Sequence, residues 1–200
     1  MRGSGERIGI LGGTFDPPHV GHIVAAVGVR HVLSLHRVLV TPANIPWQKR
    51  GVRDVTPIAD RLAMTRAAFA DLEGIEVSTV ELDRGGDTYT VDTLIALQEA
   101  RPDDEHWLIV GSDVARHLDT WHRPDVVRSL TRMVVYERPG SVGARPPASW
   151  PFELVDLPLI DVSSTDIRDR VRRGEPIDGL VPPSVADIVR RRGLYREVAA

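Results

Sequence analysis

Residues 12–22 read Gly12-Gly13-Thr14-Phe15-Asp16-Pro17-Pro18-His19-Val20-Gly21-His22, directly after a short apolar run at 7–11. An apolar run closed by two glycines, then Val20, Ile23, Val24 and Val27 at helical spacing, predicts a strand, a glycine turn and a helix opening near His19. Glycine lets the backbone come close to a ligand, and the two prolines stiffen the entry to the helix. His19 and His22 lie three residues apart, so both imidazoles point the same way from the first turn. The unpaired N–H groups and dipole of a helix N-terminus favour anions there, which suits the segment to a polyphosphate. Gly21 between the histidines leaves room for a base or ribose against the helix. A Walker-type loop needs Gly-Lys-Ser/Thr and a dinucleotide fingerprint needs another glycine spacing; neither is present. A zinc protease pair would need histidines four apart with a glutamate, also absent. The plain alternative is a structural histidine pair.

The rest of the chain repeats this alternation. Strands are predicted at 37–41, 74–80, 106–110, 132–136 and 152–157, those at 37–41 and 106–110 as buried ones. Helices are predicted from Thr56 (as N-cap before Pro57) to about 71, at 90–100, from Ser163, and at about 183–192. A long loop occupies 42–55 and a turn follows at Gly111-Ser112-Asp113. Continuous apolar strands separated by helices imply a parallel sheet covered on both faces. The expected fold class is therefore α/β, a doubly wound parallel sheet with a small C-terminal helical portion. A single domain is expected over 1–200, with its core at about 7–160 and the helical portion at about 161–196. Ligands of such sheets bind beyond the carboxyl ends of the strands, where Gly12-Gly13, residues 42–49 and residues 111–113 would converge.

Composition narrows the function classes. The 200 residues include no cysteine, which excludes disulfide scaffolds, thiolate zinc sites, iron–sulfur clusters and cysteine nucleophiles. A net charge of −3 argues against a protein that coats nucleic acid, so no nucleic-acid partner is expected. No apolar run approaches the ~18 residues of a membrane span and no signal-peptide core opens the chain, so a cytoplasmic protein without a membrane partner is expected. Of the 25 basic residues only Lys49 is lysine. Against an arginine background, one retained lysine marks a place where a compact, rotatable ammonium is wanted, or else a chance residue on a solvated loop.

A second segment, Val162-Ser163-Ser164-Thr165-Asp166-Ile167-Arg168, has the Ser-to-Asp spacing of a capping box. Read plainly it is a capped surface helix. It also gathers hydroxyls, backbone donors and one cation at a helix N-terminus, which suits a terminal phosphate.

Together the two segments resemble the T/HxGH and ISSTxxR signatures of the nucleotidylyltransferase superfamily, with Val162 in place of the isoleucine. Further segments resemble the bacterial nicotinate-nucleotide adenylyltransferases. They are residues 42–46 leading to Lys49, Thr88-Tyr89-Thr90-Val91-Asp92-Thr93-Leu94, Gly111-Ser112-Asp113, Thr120-Trp121, Arg138-Pro139-Gly140 and Gly193-Leu194-Tyr195-Arg196. The resemblance runs from Arg7 to Arg196. Trp47-Gln48 and His122 depart from the family pattern, which bears on the substrate loop and not on the reaction.

The resemblance implies a Rossmann-like nucleotidyltransferase that joins ATP and nicotinate mononucleotide, giving nicotinate adenine dinucleotide and pyrophosphate. His19, His22 and Arg168 would act on the phosphates. Gly12, Gly13, Thr14, Phe15, Gly21, Gly111, Asp113, Ser163, Ser164 and Thr165 would bind ATP. Asn44, Lys49, Tyr89, Thr90, Trp121 and Arg138 would meet the mononucleotide, with Trp121 stacking on the pyridine ring or else serving as a core residue. Mg²⁺ would arrive with ATP, with no fixed protein metal site, and Asp16 would orient the histidine loop. A homo-oligomer is left open. A phosphopantetheine-type transferase is the nearest rival, and a nucleotide-binding regulator without turnover is the rival of another class.

Overall fold

The computed structural model describes residues 5–45 and 55–196. Six strands form one all-parallel sheet in the order β3-β2-β1-β4-β5-β6. They are β1 (Arg7–Gly13), β2 (Arg37–Pro42), β3 (Ile75–Val77), β4 (Glu105–Gly111), β5 (Arg132–Tyr136) and β6 (Phe152–Val155). The helices are α1 (Val20–Val32), α2 (Ile58–Phe69), α3 (Val80–Arg84), α4 (Thr90–Ala100), α5 (Ser112–Ala115), α6 (Pro124–Leu130), α7 (Ser164–Arg172) and α8 (Pro183–Arg191). The strand order runs outward one way from β1 to β3 and the other way from β4 to β6, which places the topological switch point between β1 and β4, at the Gly12-Gly13 end of β1.

The strands are apolar on both faces because both are covered. Leu11, Trp107, Ile109 and Val134 pack with residues of α1, α2, α7 and α8, while Ile10, Leu108, Val110 and Val135 pack with residues of α4, α5 and α6. Gly9 in β1 is required for this closeness. A Cβ there would meet Val38 at 2.8 Å and Leu35 and Ile109 at 3.0 Å. The C-terminal helices share the cluster that holds Leu11 and Phe15, so Ile167, Val185 and Val189 belong to the same core as the central strands.

Several boundaries depart from expectation. The strand expected at 74–80 ends at Val77, and Val80 opens the short helix α3 instead. Gly111-Ser112-Asp113 is the start of α5 rather than a simple turn. Pro57, not Thr56, stands at the N-cap of α2. The buried face of α1 consists of Gly21, Ala25, Ala26 and Val29, whereas Val27 is exposed. Small residues won over larger aliphatics there because they let the helix lie close to the sheet. Among the described residues no helix is long and apolar enough to cross a membrane.

Candidate active site

Beyond the carboxyl ends of β1, β2, β4 and β5 lies a cleft of about 440 Å³. Gly12, Gly13, Thr14 and His22 line it from the first segment, and Tyr89, Thr90, Trp121 and His122 line it from the segments after β3 and β4. Gly111, Asp113 and Arg138 complete it at the ends of β4 and β5. Lys49 and Trp47 lie outside the described residues.

The two histidines form a stacked pair with centroids 3.7 Å apart. The His19 N–H donates to His22 Nδ1 at 3.1 Å, so the neutral His22 ring carries its proton on Nε2. His19 is only 1% exposed. Burial, with the nearby Arg138 guanidinium, lowers its pKa to about 3, so the ring is neutral. Its Nδ1 is buried with no hydrogen-bond partner among the described residues, an unusual condition outside a ligand site. Gly21 has a different reason from the one expected. A Cβ there would lie 3.1 Å from the His19 ring, so the missing side chain makes room for that imidazole. Phe15, expected at ATP, is a core residue that does not line the cleft. Its ring meets His22 edge-on at 4.9 Å and supports it from below.

The loop between Thr14 and His19 is held from three sides. Arg168, 6% exposed, donates to the Asp16 carbonyl at 2.8 Å and to Thr165 Oγ1 at 3.1 Å. The Ser164 hydroxyl donates to the Pro17 carbonyl at 2.8 Å. The buried Asp16 carboxylate accepts from the Tyr195 hydroxyl at 2.9 Å and from the Thr56 N–H at 3.4 Å. Ser163 caps α7, accepting the Asp166 N–H at 3.1 Å. The second segment is thus a capped helix, but one clamped onto the histidine loop rather than a free surface element.

Arg61 is a residue that motif reading did not find. It is 1% exposed, and its guanidinium donates to the carbonyls of Thr56 (2.8 Å), Thr14 (2.9 Å), Ala43 (2.7 Å) and Asn44 (2.9 Å). One planar fork therefore joins the glycine loop to the end of β2. No sequence signal marks it, because the role lies in four backbone oxygens from three segments. Asn44, expected in the mononucleotide pocket, does not line the cleft. Its amide donates to the Gly86 carbonyl at 2.9 Å and its N–H to the Thr88 hydroxyl at 2.9 Å, so it braces the Thr88-Tyr89 segment from behind.

On the aromatic side the Tyr89 ring meets His122 at 4.6 Å. Trp121 is half-buried, packs against the Val91 and Leu118 cluster and also lines the cleft. α4 opens here with Tyr89 at the N-cap, no side-chain cap, and Thr90 as its first residue. Arg138 joins the two sides, its N–H donating to Ser112 Oγ at 2.9 Å and its guanidinium lying 3.5 Å from the Val162 carbonyl. Among the described residues no three His, Asp or Glu side chains cluster to hold a metal ion.

A parallel sheet with a glycine loop, stacked histidines and a second helix N-terminus at one switch point is the architecture of a cytidylyltransferase-like nucleotidyltransferase, and residues 10–170 match the Cytidylyltransferase-like family. Two relatives named "Probable nicotinate-nucleotide adenylyltransferase" are closely similar along the chain. That of Corynebacterium kroppenstedtii is 43% identical over 94% of this chain and 90% of its own. That of Desulfitobacterium hafniense is 42% identical over 96% of each. The chain belongs to the nicotinate-nucleotide adenylyltransferase family. Its fold is also that of the Plasmodium falciparum nicotinic acid mononucleotide adenylyltransferase solved with NaAD, at a TM-score of 0.79, 19% identity and coverage of 95% and 97% of the two chains.

Proposed function

We propose that this enzyme transfers the adenylyl group of ATP to nicotinate mononucleotide, giving nicotinate adenine dinucleotide and pyrophosphate, a step of NAD biosynthesis. The observation that carries the reading is the single cleft lined both by the glycine loop with His22 and by Tyr89, Thr90 and Trp121. The names of its relatives agree with it.

The nucleophile is the phosphate monoester of the mononucleotide. Its oxygen bonds to the α-phosphorus of ATP as the bond to the α–β bridging oxygen breaks, and the electron pair leaves on pyrophosphate. An anionic nucleophile needs no general base, so catalysis is alignment and neutralisation of developing charge. His22 presents its Nε2–H to the α-phosphate side, and the neutral His19, buried behind it and outside the cleft lining, stacks on its ring and holds it there. What the pair supplies is hydrogen-bond donation, since burial denies His19 a positive charge. The α7 N-terminus, with Ser163, Ser164, Thr165 and Arg168, receives the β- and γ-phosphates. The glycine loop, Gly111 and Asp113 take the adenosine, and Lys49 and Arg138 serve the phosphates. Trp121 stacks on the pyridine ring, and the uncapped first turn of α4 at Tyr89 and Thr90 meets its carboxylate.

The residues proposed at the phosphates are imidazole, hydroxyl and guanidinium groups, with no carboxylate of the kind Mg²⁺ prefers as a protein ligand. They fit Mg²⁺ that would be carried by the ATP phosphates, where it would neutralise charge and template the triphosphate.

The test is pyrophosphate release with ATP and a panel of phosphorylated acceptors. Release with nicotinate mononucleotide and none with phosphopantetheine is expected. The opposite pattern overturns the reading, and ATP binding without release on any acceptor favours a regulator.

A further inference from the structure

One buried acid on the cleft wall has no part in the chemistry above. Glu81 in α3 is 5% exposed and lines the cleft with Thr88, Tyr89, Thr90 and Thr93. Its Oε1 accepts from the Thr93 hydroxyl at 2.9 Å. Its Oε2 is buried and makes no hydrogen bond of ordinary geometry among the described residues. A carboxyl oxygen left unpaired in a protein interior is expensive, and natural structures keep few of them.

The Thr88-Tyr89-Thr90 segment beside Glu81 is the one assigned above to the pyridine substituent. That substituent is an anion in the nicotinate acceptor and a neutral amide in its nicotinamide analogue. Two carboxylates cannot both ionise cheaply in one desolvated site, so an ionised Glu81 opposes the first and not the second. A protonated Glu81 does not, and it has an O–H to donate into the cleft. We propose that Glu81 is a specificity-determining residue whose protonation admits the pyridine carboxylate and whose ionisation favours the amide. The inference rests on the cleft being the pyridine mononucleotide site.

The groups facing Glu81 define when the switch acts. The Thr93 and Thr88 hydroxyls from the α4 side, Arg84 on its own helix and Arg61 of α2 all favour the ionised form, but burial outweighs them and raises the carboxyl to about 7. From pH 6 to pH 8 the protonated fraction then falls from about nine-tenths to about one-tenth. The ribose phosphate, ATP and the histidines are common to both acceptors, so their titrations cancel in a ratio.

The experiment measures kcat/KM for nicotinate and nicotinamide mononucleotides with ATP from pH 6 to 8, in the wild type and in Glu81→Gln. The acid-over-amide ratio of the wild type is expected to fall about tenfold, and that of Glu81→Gln to stay flat. Calorimetric titration of the wild type at pH 7, in buffers of different ionisation heat, should show about half a proton more taken up with nicotinate mononucleotide than with the amide. This arm needs no variant to fold. A flat wild-type ratio with nicotinate turnover intact, equal slopes in both proteins, or equal proton uptake with both acceptors overturns the role of Glu81 alone. Absence of turnover with nicotinate mononucleotide at every pH overturns the reading of the cleft together with it.

Discussion

The Tyr195 hydroxyl donates to the Asp16 carboxylate at 2.9 Å across 179 residues of chain. Tyr195, four residues beyond the end of α8, thereby fixes the loop that carries His19, and burial beside Asp16 pushes the phenol pKa far up, so Tyr195 stays a donor throughout the working range. Tyr195→Phe removes the hydroxyl and leaves a buried carboxylate short of a partner, which costs about 1–3 kcal/mol. For a chain of this size that lowers the melting temperature by several degrees. Turnover should fall while KM for the mononucleotide stays if, as proposed, the loop serves the ATP phosphates. Thermal denaturation with steady-state kinetics checks both; an unchanged kcat makes the bond purely structural.

His22→Ala removes the donor proposed to face the phosphates. Loss of such a group costs ~10²- to 10³-fold in rate, and ATP affinity should change far less, since the interaction strengthens as charge develops. Single-turnover rates beside ATP titrations separate the two, and near-normal turnover in a folded variant refutes the role.

Trp121→Ala should raise KM for nicotinate mononucleotide by roughly one to two powers of ten, because stacking on a heterocycle is worth ~1–3 kcal/mol. KM for ATP should barely move. The nicotinamide analogue should weaken by a similar factor, as an indole ring does not read charge. An equal loss of ATP affinity would mean that the packing of Trp121 on the Val91 cluster dominates.

Arg61→Lys keeps the charge but not the planar fork that meets four carbonyls. The variant leaves at least one buried carbonyl unpaired, at about 1–3 kcal/mol. Both substrates should bind more weakly, since Thr14 lies on one side of the fork and Ala43 on the other. Denaturant titration and the two KM values test this; a shift in only one KM would break the link.

The alternation of apolar runs with helix signals was enough to define a doubly wound parallel sheet, because strands covered on both faces must be continuously apolar. The glycine loop at 12–22 and the capped helix start at 162–168 were legible for a related reason: a tight glycine turn and a helix N-cap both leave local marks. The short helices α3, α5 and α6 were not legible, since elements of four to seven residues show too little of a 3.6-residue period. Nor was the buried face of α1, which close packing against the sheet selected. The roles of Arg61, Glu81 and Tyr195 came from tertiary structure alone. Each depends on groups from distant segments meeting in a buried space, and a side chain's partner across 179 residues leaves no trace in its own neighbourhood of sequence.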